Sequence, residues 1–280
     1  MIWSCEANMI QLDDENLRKL QLLQLEMLIE VDEICKKCNI KYNIIAGTLL
    51  GAVRHGGYIP WDDDADVAFL RPEYEKFKKA CETELDTSRF YFQDHRNTKG
   101  YRWGYGKLRR KDTLFLREYQ EHMPYEQGVF IDIFPLDGVP NNYLGRCVHG
   151  FFCLCIRKIL WSAVGRVADK NKTMRIIYGT LYKIPDWIIF YCYHKLIKES
   201  NVNKTKMVRI LLFPTPDKKY GYYRKWYEQS SAIQFENYIF QGINQYDEYL
   251  SFKFGDYMTL PPEKQRKVHP VSAITLIESR

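Results

Sequence analysis

The sequence predicts a domain that mixes helices and strands, of the α/β or α+β class, with a basic helical insert. Three observations predict it. Apolar residues recur at helical spacing from Asp14 to Cys38. Short apolar runs of strand length follow, separated by turn residues and a second helical pattern. Acidic residues then nearly vanish between 141 and 205, where long apolar and basic stretches take over. The 280 residues, 46% of them hydrophobic, suffice for one large or two small domains and exclude a disordered chain. A mean hydropathy of −0.42 excludes a polytopic membrane protein. Three parts are expected: a core over 1–140, the insert over 141–205, and a part over 206–280 that packs on the core.

The elements follow in order. Met1-Ile-Trp-Ser-Cys-Glu6 lacks the basic-then-apolar order of a secretory signal, which predicts a cytoplasmic chain with reduced thiols. Leu17, Leu20, Leu28, Val31 and Cys35 mark one face of the first helix, with Asp13 or Asp14 as its cap. Cys35-Lys-Lys-Cys38 is a single CxxC. Both Cys are expected to pack as small apolar residues at the helix end rather than to bind zinc. Tyr42–Ala46 reads as a buried strand, Leu49–His55 as a short helix, and Ala65–Leu70 as a strand. Pro72–Leu85 reads as a helix with Pro in its first turn. Phe90–Asp94, Trp103–Arg109, Thr113–Leu116 and Gly128–Phe134 read as strands.

Pro60-Trp-Asp-Asp-Asp-Ala-Asp-Val67 carries the most chemistry. Four carboxylates in five residues repel one another unless something compensates. The cluster runs into the apolar strand Val67–Leu70. On an extended backbone Asp62, Asp64 and Asp66 share one face, opposite Asp63 and Ala65. Adjacent carboxylates at a strand end suit a hard divalent cation, which takes oxygen ligands and bridges carboxylate to phosphate. Asp132, inside Phe130-Ile-Asp-Ile-Phe134, is a further carboxylate whose burial requires a partner or a metal. Asp64, Asp66 and Asp132 together could hold two cations about 4 Å apart, as in enzymes of phosphoryl transfer. Upstream, Gly47 permits close backbone approach, and Thr48 begins a helix whose free N–H groups favour phosphate. Arg54 and His55 lie at its far end.

These residues resemble the nucleotidyltransferase superfamily, with its helix-opening Gly-Ser/Thr, Asp-x-Asp and later strand Asp. More closely, they resemble the LicD family of phosphorylcholine transferases. The blocks that carry the resemblance are Gly47–His55, Pro60–Asp66, Lys107–Thr113, Phe130–Gly138 and Phe254–Pro262. The last block ends in Val268-His269-Pro270 where the family has a His pair, which leaves His269 without an assigned role. The resemblance implies an α+β fold of the nucleotidyltransferase (polymerase-beta) type, with a small mixed sheet as the catalytic core. It implies transfer of a phospho-alcohol from a CDP-activated donor to a hydroxyl of a cell-surface glycan or teichoic-acid-type precursor, releasing CMP. CDP-choline is the typical donor, and fukutin-like relatives use CDP-ribitol.

On that basis Asp64, Asp66 and Asp132 are expected to hold Mg2+, with Mn2+ as an alternative and Asp62 as a fourth ligand. Asp132 also serves as proton acceptor. Gly47, Thr48, Arg54 and Lys107 are expected on the donor phosphates. Trp61, His55 and Arg109 are candidates for the donor head group or base. Quaternary ammonium groups bind aromatic faces, and Trp61, Tyr101, Trp103, Tyr105, Tyr119, Tyr222, Tyr223, Trp226 and Tyr227 are available for it.

Between 141 and 205 lie eleven Lys and Arg against three acidic residues, a net charge of +8 in a chain of +6. Phe151–Ile156, Ile159–Trp161 and Trp187–Tyr191 are interleaved with them. The basic residues are expected to break any run of the ~20 apolar residues that span a bilayer. Basic amphipathic helices suit either an anionic membrane interface, here the inner face of the plasma membrane, or packing on protein. A lipid-linked glycan acceptor fits the former. Two rival readings are an enzyme using an NTP and a membrane-surface module with a degenerate site. A nucleic-acid partner is excluded, because the carboxylate-bearing region is not basic.

Overall fold

The computed structural model describes residues 12–215, 219–266 and 268–278. The expectations placed on Met1–Glu6, including Cys5, lie outside the described residues. In chain order the elements are α1 (Asp14–Lys37), β1 (Asn43–Ile44), α2 (Ala46–His55), β2 (Asp66–Leu70), α3 (Arg71–Ala80), β3 (Phe90–Gln93), β4 (Gly106–Arg110), β5 (Leu114–Arg117) and β6 (Phe130–Val139). Then follow α4 (Tyr143–Ala168), α5 (Lys172–Leu181), α6 (Asp186–Ser200), β7 (Met207–Arg209), β8 (Tyr222–Tyr223), α7 (Lys225–Glu228), β9 (Ser230–Phe235), β10 (Tyr238–Ile243), α8 (Tyr246–Phe254) and β11 (Val271–Thr275). The fold is α+β.

Nine of the described strands form one mixed sheet, ordered β3-β4-β6-β2-β1-β10-β9, with β7 and β8 continuing from β6. β2 and β6 run parallel, as do β1 and β10; the other pairs are antiparallel. β5 and β11 make a separate ribbon. β6 is buried along its whole length, which explains its continuous apolar run. It extends past Phe134 to Val139, because Pro135–Val139 still finds partners in β2 and β7.

α1 begins where Asp13 accepts a hydrogen bond from the Asn16 N–H, and its apolar face covers β4 and β6. Two polar residues on that face, Gln21 and Gln24, are also buried. α3 stops at Ala80 rather than Leu85, in a run of turns. α2 starts at Ala46, three residues earlier than expected. Ala46 has φ 50°, a left-handed conformation that few non-glycine residues adopt, and its N–H donates to the Tyr249 hydroxyl at 3.3 Å. Cys35 is buried, but Cys38 is exposed, since α1 ends one residue before it.

The stretch 141–205 is helical. α4 and α6 share a small core of Cys153, Ile156, Leu160, Ile189, Tyr193 and Leu196, closed by Leu211 and Leu212. α4 is one helix of 26 residues, long and apolar enough by length and composition to cross a membrane. Arg157 and Lys158 therefore do not break the run as expected. They sit within a continuous helix, which closes its backbone hydrogen bonds internally whatever its side chains. One side of α4 is buried against α6 and α5, and Tyr143, Leu144, Phe151 and Phe152 on the rest are exposed.

Candidate active site

The strand register builds the site. Asp66, the first residue of β2, is the direct partner of Asp132 in β6, and Asp132 is the direct partner of Lys107 in β4. Neighbouring strands lie about 4.8 Å apart, so these three side chains form a row across one face. Asp64, Asp66 and Asp132 line one cavity of about 120 Å3, together with the start of α2 at Ile45 and Ala46. The carboxylate loop is tied down from behind. Gln21 donates to the Asp62 carbonyl at 3.0 Å and Gln24 to that of Asp63 at 2.8 Å. The Asp132 N–H donates to the Ala65 carbonyl, and the Asp66 N–H donates to the Thr48 hydroxyl.

The electrostatics of the cluster are those of crowded, buried negative charge. Burial pushes the Asp66 carboxyl well above the usual carboxylate range, and Asp64 and Asp132 push it further. Burial also raises Asp64, with Arg117 and His269 opposing. Asp62 is pushed up to about 8, by burial first and then by Asp64 and Asp63. A cation bound among these oxygens would relieve that cost, so the donor set fits a hard divalent ion. A nitrogen is also available. His269 Nδ1 lies 2.8 Å from Asp63 Oδ1 and 3.8 Å from Asp64 Oδ2. Asp63, Asp64 and His269 offer ligand atoms within 4.8 Å of one another.

The other sequence-derived residues fall in different places. Residues 62–65 precede β2, so the alternation of faces begins only at Asp66. Asp62 turns instead toward Gly47, where a Cβ would meet its Oδ2 at 2.5 Å. Close approach at Gly47 is thus to a carboxylate. Thr48 uses its hydroxyl on Asp66. Arg54, at the far end of α2, donates to the Tyr257 carbonyl at 2.6 Å and is not part of the cavity lining. Lys107 is buried behind Asp132, bonded to it at 2.5 Å and 3.2 Å from the centre of the Phe130 ring. Burial lowers its ammonium to about 7, despite Asp132. Arg109 is held by Gln93 and the Gly128 carbonyl. His55 meets Trp61 edge to face at 6.2 Å, and Arg266 covers the Trp61 ring at 4.6 Å. Neither His55 nor Trp61 lines the cavity.

Sequence reasoning missed Arg117, Arg209 and Lys253 and left His269 without a role; all four line it. Arg117 Nε and Nη2 and Arg209 Nε are buried without a hydrogen-bond partner among the described residues, although Arg117 Nη2 stands 3.9 Å from Asp64. Unpaired guanidinium atoms beside a carboxylate cluster suit an anionic ligand that binds with a cation. The signal was present: Arg117 and Arg209 each close an apolar strand, the argument already applied to Asp132. Of the aromatic residues expected near the head group, Tyr105, Tyr222 and Tyr227 reach the cavity, joined by Phe134, Phe213 and Tyr249.

Residues 39–145 match the LicD/FKTN/FKRP nucleotidyltransferase domain. This span holds Asp62, Asp64, Asp66, Lys107, Arg117 and Asp132. The chain carries a LicD-family nucleotidyltransferase domain. A Haemophilus influenzae protein, lipopolysaccharide cholinephosphotransferase LicD, is 29% identical over 91% of the chain and 96% of its own length. That likeness runs well beyond the LicD-type domain. An uncharacterized protein of Rickettsia prowazekii is 42% identical over 24% of this chain and 28% of its own. One of Rickettsia typhi is 44% identical over 19% of this chain and 18% of its own. Arg209, Lys253 and His269 complete the cavity from outside the matched domain.

Proposed function

We propose that the chain is a phosphorylcholine transferase, dependent on a divalent cation, that moves phosphocholine from CDP-choline to a hydroxyl of a lipopolysaccharide-type glycan. The observation that carries this reading is the single cavity in which Asp64, Asp66 and Asp132 face Arg117 and Arg209, whose guanidinium groups keep N–H groups without a hydrogen-bond partner among the described residues. Asp64, Asp66, Asp132 and His269 would hold Mg2+ or Mn2+, with Asp62 beside Asp64. The ion would supply a positive charge on the donor diphosphate. His269 donating from Nδ1 to Asp63 leaves Nε2 as the ligand atom.

The acceptor oxygen attacks the phosphorus that bears choline. The bond from that phosphorus to the CMP oxygen breaks, and CMP leaves with the electron pair. The acceptor proton passes to a carboxylate, the role we assign to Asp132. Lys107 orients Asp132 from behind, and Arg117 and Arg209 offset the charge that spreads over the transferring group. Tyr105, Phe134, Tyr222, Tyr227 and Tyr249 offer aromatic faces to a quaternary ammonium, which supports choline over ribitol. The exposed Phe151, Phe152, Trp187 and Tyr191, beside the basic residues of the insert, support a peripheral position on an anionic membrane carrying the acceptor.

The test is CMP release with lipopolysaccharide as acceptor and CDP-choline, CDP-ethanolamine or CDP-ribitol as donor, with and without Mg2+. Release only with CDP-choline and Mg2+, with choline recovered on the glycan, is expected. Equal rates with all three donors would remove the aromatic cage from the reading, and release insensitive to chelator would remove the cation.

A further inference from the structure

A second cavity, of about 320 Å3, lies between α4 and residues 102–105. Tyr105, Phe213 and Pro214 line both it and the carboxylate cavity, so the two adjoin. Trp103 and Trp161 stand on its wall with their rings edge to face, 5.6 Å apart. Arg157 and Lys158 supply positive charge, and no carboxylate lines it among the described residues. Its third cation, Arg102, is occupied: it pairs with Asp186 at 3.4 Å and donates to the Ile159 carbonyl. Lys158 donates to the Tyr178 hydroxyl at 3.0 Å. Arg157 is half-buried and makes no hydrogen bond or ion pair among the described residues.

We propose that this cavity is the acceptor subsite, and that it takes a sugar bearing an anionic group such as a phosphate. The inference rests on the transferase reading above and names the substrate class that reading leaves open. Three features carry it. The cavity adjoins the carboxylates, so a hydroxyl of a bound sugar can reach the transferring phosphorus while the rest of the glycan stays in the second cavity. Most of its wall comes from α4 and from residues 212–214, beyond residues 39–145, so it is an addition to the domain that holds the metal-binding carboxylates. Its chemistry is also specific: tryptophan faces pack against the apolar face of a pyranose, and an unpaired guanidinium recognises a phosphate or carboxylate by two parallel hydrogen bonds.

The rival occupant is the cytidine of the donor, and one experiment separates the two. The full-length protein is labelled with 5-fluorotryptophan, and the Trp103 and Trp161 resonances are assigned with Trp103→Phe and Trp161→Phe. N-acetylglucosamine 6-phosphate, N-acetylglucosamine, inorganic phosphate and CMP are then titrated separately. The sugar phosphate should shift both resonances with the lowest dissociation constant. Arg157→Gln should weaken it about tenfold and leave the dissociation constant of CDP-choline within twofold. In turnover, Arg157→Gln should raise the KM for lipopolysaccharide and leave that for CDP-choline unchanged. Shifts produced by CMP rather than by the sugar phosphate would overturn the proposal, as would Arg157→Gln acting equally on all four probes. Because the titrations need no catalysis, they decide on the subsite even if the wild-type protein transfers no phosphocholine, the result that would instead overturn the transferase reading.

Discussion

His269 Nδ1 lies 2.8 Å from Oδ1 of Asp63, joining residues 206 positions apart, and the His269 N–H donates to the other oxygen of the same carboxylate. Asp63 is buried, so the pair pins a C-terminal histidine beside Asp64. His269→Ala should weaken the apparent affinity for Mg2+ by about 10–100-fold, the usual effect of disturbing a metal ligand or the group that orients it. Half-saturation in a Mg2+ titration of CMP release measures this. A half-saturation unchanged in His269→Ala would show that the histidine plays no part in cation binding.

Asp66 sits in the most crowded part of the carboxylate cluster, and its neutral form is favoured. Asp66→Asn should abolish turnover and yet raise the melting temperature of the cation-free protein by several degrees, because the amide is neutral without the proton that the crowded carboxyl must take up on folding. Mg2+ should stabilise the wild-type protein by RT ln(1 + [L]/Kd), about 2.7 kcal/mol at a hundredfold excess over Kd, and the Asn variant much less. Scanning calorimetry with and without Mg2+ provides both measurements. An Asn variant with near-wild-type turnover would exclude Asp66 from the cation site.

Two histidines secure the insert. His95, in the loop after β3, stacks on Phe190 of α6 at 4.5 Å, and His149 of α4 is bonded to Ser200 of α6 at 2.9 Å. Burial lowers them to about 3 and about 4. Their folded values lie below the ordinary 6.5, so the unfolded chain binds protons more readily. The stability they protect is complete above about pH 6.5 and is lost as pH falls toward 4. By pH 5 the loss should reach up to about 2 kcal/mol per histidine. Urea melts at pH 5 and 7.5 should show it, and the difference should shrink in His95→Gln and His149→Gln. An unchanged difference in both variants would assign the acid sensitivity to other groups.

Asp137 is fully buried and bonded to Arg71 through both oxygens, at 2.7 and 2.6 Å, with Asn201 donating to it at 2.6 Å. It ties β6 to α3 and to the end of the insert. Asp137→Ala leaves Arg71 buried and unpaired and should cost about 3–5 kcal/mol, whereas the double change Arg71→Met with Asp137→Leu should recover most of that. Denaturant midpoints of the single and double variants test it. A double variant as unstable as the single would mean that the bond to Asn201 matters more than the ion pair.

Where local pattern dictates structure, the sequence was readable. The apolar face of α1, its Asp13 cap, the apolar run of β6 and the helices between 141 and 205 all follow from spacing and composition. Asp64, Asp66 and Asp132 could be singled out because a carboxylate in an apolar strand needs a reason. The start of α2 was misjudged, because its first turn depends on the Tyr249 hydroxyl, supplied 203 positions away. Arg209, Lys253 and His269 were left unassigned for the same cause: each reaches the cavity only by tertiary packing, which neither the strand-end position of Arg209 nor the block around His269 reveals. The bias toward Trp61 relied on its adjacency in sequence to the carboxylates. In the fold its ring instead meets His55 and Arg266.

The row Asp66–Asp132–Lys107 depends on pairing alone, since each residue is the direct neighbour of the next on adjoining strands. Side chains alternate sides along a strand, so a slip of β6 by one position would carry Asp132 through to the opposite face and bring Ile131 or Ile133 in its place. Such a chain could still be compact, helical and soluble, with every residue intact, and have no activity. Assays of folding that read only secondary structure would pass it. Cation affinity is therefore also a gauge of whether the central strands have found their proper alignment.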